Sequence, residues 1–352
     1  MKIIFVYPKM ASFISLDKKI LSEKFKVIEN TYDWEKKYKL PLYLVMQFFF
    51  LMKNIRKIDY IVVSFGGYWS LLPSLLGYLF RKPTLIIVHG TDCAGFKEID
   101  YGNLRKPILS AVLKASYKFA TRLLPVSESL IYTNNEYFSK NKEIKQGIKY
   151  FFPKLKTQWT VISNAVDQKK WQIHSKSNRA KNRFITVMGD SQFIRKGGDL
   201  IIEAAIEYPQ FEFIFIGIKK PNTINYIPEN VQFLGRMNSN ELMTYYNQSK
   251  FYLQLSNFEG FGVALCEAML CGCIPIVSKV NDMPNIVKDT GYILELNDSD
   301  KLFKLLDRVT SEANNELGQK ARLSIVNNYS LMKRKNALFQ ALKDSKSAYN
   351  KK

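Results

Sequence analysis

"RFITVMG", residues 183–189, is a strand-length apolar run that stops at a glycine halfway along the chain. It resembles the run that opens the chain, "KIIFVY" at 2–7. After that opening come "FKVIE" (25–29), "YIVVS" (60–64), "TLIIVH" (84–89), "RLLPV" (122–126) and "WTVIS" (159–163). After the restart come "FEFIFIG" (211–217), "VQFLG" (231–235), "KFYLQL" (250–255) and "CIPIVS" (273–278). Helix-period segments separate these runs, which is the pattern of βαβ units and parallel sheets. A pattern that begins twice implies two successive doubly wound α/β domains. The 352 residues suit two domains of ~150 residues or slightly more.

The polar, strandless stretch "DQKKWQIHSKSNRAKN" (167–182) reads as the link between them. We therefore expect a first domain over 1–168 and a second over 169–329. The tail from Tyr329, "YSLMKRKNALFQALKDSKSAY", reads as a helix over about 330–352 that packs back on the first domain. In open α/β sheets ligands bind beyond the carboxyl ends of the strands, so two such domains are expected to face each other across a ligand-binding cleft.

A hydrophobic fraction of 47% belongs to a folded protein. The net charge is +21, and residues 1–168 hold 26 Lys and Arg against 13 Asp and Glu, or +13, leaving +8 for the rest. Such a balance suits a polyanionic partner: nucleic acid, an anionic membrane surface or a phosphorylated substrate. Cys93, Cys266, Cys271 and Cys273 lack the spacing of a zinc site, with only His89 and His174 to help, and read as reduced, buried thiols. "MKIIFVYPKM" is too short in its apolar part for a signal peptide, and no run reaches a membrane span. These readings place the chain in the cytoplasm, with peripheral attachment to the inner face of the cell membrane as an open expectation.

"NFEGFGVALCEAML" (257–270) holds two acids, Glu259 and Glu267, around a glycine turn that opens a helix from about Val263 to Leu270. A helix N-terminus preceded by glycine favours anions, through free amides and the dipole together. Gly260 and Gly262 let the backbone approach a phosphate closely. A carboxylate accepts two hydroxyl hydrogen bonds well, so the stretch has the shape of a diphosphate cradle between two hydroxyl clamps. The plainer alternative is a capping acid and a surface glutamate. "GDSQFIRKGGDLIIEAA" (189–205) sets Arg195 and Lys196 before another glycine-opened helix, where they would neutralise a leaving diphosphate unless they form a solvated loop.

Together, "RKGGDLIIEA", "FIFIG", "VQFLGRM" and "SNFEGFGVALCEAMLCGCIPIV" resemble the group 1 (family 4) retaining glycosyltransferases of GT-B fold, with two Rossmann-like domains. Glu259 and Glu267 match that family's E-x7-E motif. The likeness is thinner in the first half: "VHGTD" (88–92), "LLPVSES" (123–129) and "VISNAVD" (161–167). The resemblance implies that Glu267 binds ribose hydroxyls, and that Glu259, with the amides of Gly260, Phe261, Gly262 and Val263, holds the donor sugar and adjacent phosphate. It implies Arg195 and Lys196 on the diphosphate, Arg236 where the main chain reads the base, and Gly189 among the donor-binding residues. His89, after a predicted strand and before Gly90, would face the sugar at the reacting centre, giving a catalytic set of His89, Arg195, Lys196 and Glu259. The family's double glycine in the first βα loop is missing from "YPKMASFISLD", although "SFGGYW" (64–69) has one after the third predicted strand, so the acceptor pocket does not follow by analogy.

The implied activity is transfer of a sugar from a nucleoside-diphosphate sugar to an acceptor hydroxyl with retention, in cell-envelope glycolipid or polysaccharide synthesis. The acceptor would be a glycan or lipid-linked. Asp298 to Asp300 imitate a metal-binding DxD but stand directly before "KLFKLLDRV" and read as a helix N-cap, so no metal and no cofactor are expected. The rivals are a sugar-nucleotide epimerase or phosphorylase on the same architecture, and a nucleic-acid-binding protein. The last lacks any reading module, and the acidic pair would oppose a phosphate backbone. Two aromatic, basic stretches, 40–57 and "KNKEIKQGIKYFFPKLK" (140–156), have the look of interfacial helices, and equally of domain helices with lysine-rich outer faces.

Overall fold

The computed structural model describes residues 1–139, 141–174, 179–221, 224–312 and 315–350. Its strands run β1 (Lys2–Val6), β2 (Lys26–Asn30), β3 (Tyr60–Ser64), β4 (Thr84–Val88), β5 (Arg122–Pro125), β6 (Thr133–Asn135), β7 (Ile144–Gln146) and β8 (Gln158–Trp159). They continue as β9 (Ala180–Val187), β10 (Glu212–Ile216), β11 (Val231–Leu234), β12 (Ser249–Gln254), β13 (Ile274–Ser278) and β14 (Tyr292–Leu294). One six-stranded sheet has the order β2-β1-β3-β4-β5-β8 and another the order β11-β10-β9-β12-β13-β14. Every pairing in both is parallel. Every residue of β3, β4 and β13 is buried, as expected of strands with helices on both faces, and this is why they read as unbroken apolar runs.

The chain divides into two compact units. One comprises Met1–Thr133, Lys145–Asn164 and Met332–Lys352, the other Asn134–Ile144 and Ala165–Leu331. The boundary expected after 168 thus falls after Asn164, and the segment Asn134–Ile144 belongs with the second unit.

In the first unit a buried ion pair fixes the last helix. Arg334 Nε and Nη2 donate to the Asp17 carboxylate at 2.6 and 2.7 Å, and Nη1 donates to the carbonyls of Ile162 and Ser163 at 3.0 and 2.7 Å. One guanidinium therefore joins three stretches far apart in sequence, using donors in a rigid fork that lysine lacks.

Three sequence expectations need correction. The stretch 140–156 is no interfacial helix: it forms β7 and a single turn, Ile148–Phe151, and Ile144, Ile148 and Phe152 are buried; Lys140 lies outside the described residues. Gly147 at φ +104 breaks the helical path between them. The strand expected over 159–163 is regular only as β8, yet the Thr160 and Ile162 amides still donate to the Leu123 and Pro125 carbonyls of β5 at 3.0 and 2.9 Å; Pro125 has no N–H to complete the ladder. The supposed link 167–182 is packed where it is described. Trp171 is buried against Tyr246, and Arg179 donates to the carbonyls of Tyr246, Ser249 and Cys271; residues 175–178 lie outside the described residues. The strands β6, β7 and β14, three residues each, were too short for any periodic signal.

All four cysteines are buried and free. Among the described residues no helix is long and apolar enough to cross a membrane.

Candidate functional site

In the second sheet the chain starts at β9, winds outward through β10 and β11, and returns to β12 on the other side of β9. The loops after β9 and β12 therefore diverge at a topological switch point, where open α/β sheets leave a crevice beyond their carboxyl ends. Here the two loops are sewn together by Asn257. Its amide donates to the Arg195 carbonyl at 2.7 Å, and its Nδ2 donates to the Ile194 carbonyl at 2.9 Å. Asn135 and Asn297 in turn donate to the Asn257 carbonyl and Oδ1, at 2.6 and 3.2 Å.

This seam brings Arg195, Lys196 and Glu259 into one cluster. Arg195 Nη1 donates to the Phe258 carbonyl at 2.8 Å and lies 3.4 Å from Glu259 Oε2. Lys196 Nζ donates to the Val187 carbonyl at 3.0 Å and lies 3.9 Å from the same carboxylate oxygen. Gln254 Nε2 adds a bond to Glu259 Oε2 at 3.0 Å, and the Glu259 amide donates to Asn281 Oδ1 at 2.9 Å. Burial alone would push the Glu259 carboxyl up. The Lys196 and Arg195 cations and the Gly260 amide outweigh it and hold the group below its ordinary value. For Lys196 burial dominates, and despite Glu259 its pKa is pulled down. Two cations thus share one carboxylate in a largely buried place.

The helix after the turn runs Val263–Leu270, with Gly262 as its N-cap at φ +104. Phe261 is buried, its ring edge-on to Tyr329 at 5.2 Å, so it anchors the turn and leaves only its backbone for a ligand. Glu267 stands one turn into this helix, part-buried. Burial pushes its carboxyl up to about 7, with the cations Lys170 and Lys196 opposing. The Gly189 amide, just after β9, already donates to Gln192 Oε1 at 3.1 Å. Arg236 follows β11, exposed and outside the ion pairs of Glu259. Asp298 Oδ1 accepts from the Lys301 amide at 3.0 Å, capping the helix Ser299–Glu312.

His89 lies in the first unit, at the end of β4. Its Nε2 is 3.0 Å from Ser64 Oγ at the end of β3, and its ring sits against Phe65 and Phe13 with centroids 4.3 and 4.8 Å apart. Burial, and next the Arg334 charge, push its pKa far down, so the imidazole is neutral at pH 7. Its Nδ1 is buried without a hydrogen-bond partner. The His89 loop is held by Asp92, whose carboxylate accepts from the amides of Gly66, His89 and Gly90 at 2.8, 3.0 and 2.9 Å.

Sequence reasoning gave no role to Asn257, Gln254 or Asp92. The signal for Gln254 was present, since a glutamine inside the apolar run "KFYLQL" must find a buried partner.

Comparison with known proteins adds independent findings. The chain is 27% identical over 257 residues to N-acetyl-alpha-D-glucosaminyl L-malate synthase of Bacillus anthracis, covering 70% of this chain and 63% of that one. It is 24% identical over 246 residues to GDP-mannose:cellobiosyl-diphosphopolyprenol alpha-mannosyltransferase of Xanthomonas campestris, covering 63% of each. The chain thus spans less than two thirds of the length of either relative. The Anabaena protein HepE, solved in complex with UDP-glucose, superposes with a TM-score of 0.73 at 14% identity, over 98% of this chain and 100% of that one. A likeness of that extent shows the fold, the GT-B architecture of two parallel-sheet α/β domains. With the description "Glycosyl transferases group 1" matching residues 169–347, half of the sequence and the whole of the cluster around Glu259, the chain belongs to the group 1 glycosyl transferases.

Proposed function

We propose that this glycosyltransferase moves a sugar from a nucleoside-diphosphate sugar to an acceptor hydroxyl with retention of anomeric configuration, in the making of a cell-envelope glycolipid or polysaccharide. The observation that carries the donor reading is the cluster at the switch point: two largely buried cations on one carboxylate, beside a glycine-capped helix N-terminus. A diphosphate there replaces Glu259 as partner of Arg195 and Lys196 and meets the first amides of the helix Val263–Leu270. Glu259 is then released toward the sugar hydroxyls, and Glu267 takes the ribose hydroxyls. The solved complex of HepE with UDP-glucose and the mannosyltransferase named for a diphosphopolyprenol acceptor support the donor class and the envelope setting.

In this reading the leaving diphosphate departs from the face that the acceptor attacks. Its phosphate oxygen takes the acceptor proton, and Arg195, Lys196 and the helix amides stabilise the growing charge. The two side-chain cations supply the charge that a metal would otherwise supply, so turnover should survive a chelator.

Thermal shift against a panel of nucleoside diphosphates and their sugars tests the donor site, and NMR of the product tests the anomer. A nucleoside diphosphate should stabilise the wild type, Glu267→Ala should lose most of that shift, and Lys196→Ala should lower turnover by about tenfold to a thousandfold. Stabilisation by DNA alone, or full activity in both variants, would sink the proposal; activity lost in chelator and restored by a divalent ion would sink its metal-free form.

A further inference from the structure

The helix Leu40–Asn54 in the first unit is packed inside out. Its two buried side chains are Gln47 and Leu51, and Gln47 Nε2 donates to Asn30 Oδ1 at 2.8 Å and to the Trp69 carbonyl at 3.1 Å. Leu42, Val45, Met46, Phe49 and Met52 form one stripe at helical spacing on the outside, with Leu42 55% and Phe49 66% exposed. A helix facing water does the reverse, turning its glutamine out and its phenylalanines in. The next helix, Tyr68–Leu79, packs beside it and ends in Tyr78 and Leu79, 56% and 61% exposed.

Cations mark both helix ends: Lys53 in the last turn of the first with Arg56 and Lys57 after it, and Arg81 after the second, all exposed. The two ends are neighbours, since Lys82 Nζ donates to the Ile58 carbonyl at 2.7 Å. Tyr78 and Leu79 also line a cavity of about 1140 Å³ whose rim includes Lys114, Lys118 and Lys154 and whose lining holds no acidic side chain.

We propose that this face of the first unit docks on an anionic lipid bilayer, with the stripe from Leu42 to Met52 in the interfacial layer and the cations on lipid phosphates. Exposed apolar area beside clustered cations suits that surface on both counts. A second copy of the chain is a poor occupant, because the same cationic rim would meet itself. The proposal goes beyond sugar transfer and is read out separately from it.

The test is co-sedimentation of the full chain with vesicles of phosphatidylcholine alone or with about 30% phosphatidylglycerol, at low and high salt. Wild type should pellet with the anionic vesicles and be partly released by salt. The double variant Met46→Ser with Phe49→Ser should bind at least about tenfold more weakly, from lost apolar burial. The triple variant Lys53→Ala, Arg56→Ala, Lys57→Ala should lose about fivefold per charge removed, with weaker salt dependence. Circular dichroism and the nucleoside-diphosphate thermal shift should match wild type in both, since all five positions are exposed. Wild type that stays in solution with anionic vesicles, or variants that bind as wild type does, would overturn the proposal. So would a dimer in vesicle-free solution that Phe49→Ser dissolves, which would make a second copy the occupant.

Discussion

Glu267 and His89 carry opposite pH signatures. Burial raises the Glu267 carboxyl from 4.5 to about 7, so between those values the folded chain holds a proton that the unfolded chain releases. Its contribution to stability therefore falls as pH rises through that window. Burial lowers His89 well below 6.5, so below 6.5 the unfolded chain binds a proton that the folded chain refuses. That contribution is lost as pH falls. Between pH 4.5 and about 7, melting temperature should therefore lose its acid-side fall in His89→Gln and its alkaline-side fall in Glu267→Gln. Identical curves for wild type and Glu267→Gln would show that this carboxyl titrates normally. The proposed ribose clamp adds a further expectation, that nucleoside-diphosphate affinity rises with pH through about 7 in wild type and loses that step in Glu267→Gln.

The two glycines that open helices at the switch point have unequal tolerance. Gly197, at φ +69, caps the helix Gly198–Glu207, and a Cβ there would lie 2.3 Å from the Leu255 carbonyl oxygen and 2.8 Å from Leu255 Cβ. Gly262, at φ +104, leaves the same Cβ 3.5 Å from its nearest neighbour. The backbone strain of about 1–3 kcal/mol applies to both, but only Gly197 adds a clash with the main chain of β12's outgoing loop. Urea unfolding should rank Gly197→Ala as the more destabilised variant. Gly262→Ala should instead weaken nucleoside-diphosphate binding more than it weakens the fold, because its turn aims the helix amides. An equal loss of stability in the two variants would contradict this account.

At the scale of the whole molecule, the final helix is tied to the first unit by Arg334. Arg334→Met leaves the Asp17 carboxylate buried without its partner, a loss of about 3–5 kcal/mol. Adding Asp17→Leu removes that charge and should restore part of the stability. Recovery stays incomplete because the carbonyls of Ile162 and Ser163 also lose their donor. A double-mutant cycle in urea measures the coupling; two single losses that simply add would show that the pair is not a unit.

What the sequence by itself determined lies within short windows. Apolar runs of strand length revealed ten of the strands of the two large sheets, and the helix Val263–Leu270 has the bounds that its glycine turn suggested. Arg195, Lys196 and Glu259 were legible as a set because the first two precede one glycine-opened helix and Glu259 precedes another, and the sheet order joins the two loops. Only the tertiary structure decided which residues complete that site: Asn257 and Gln254 act through partners on other loops or strands. It decided that Asn134–Ile144 belongs with the second unit and that Arg334 pairs with Asp17, 317 positions away. It also separated two stretches of similar composition. Ile148 and Phe152 go into the core, while Phe49 stays outside and Gln47 goes in. Periodicity says which residues share a face. What that face meets is set by contacts between distant parts of the chain, which no local pattern records.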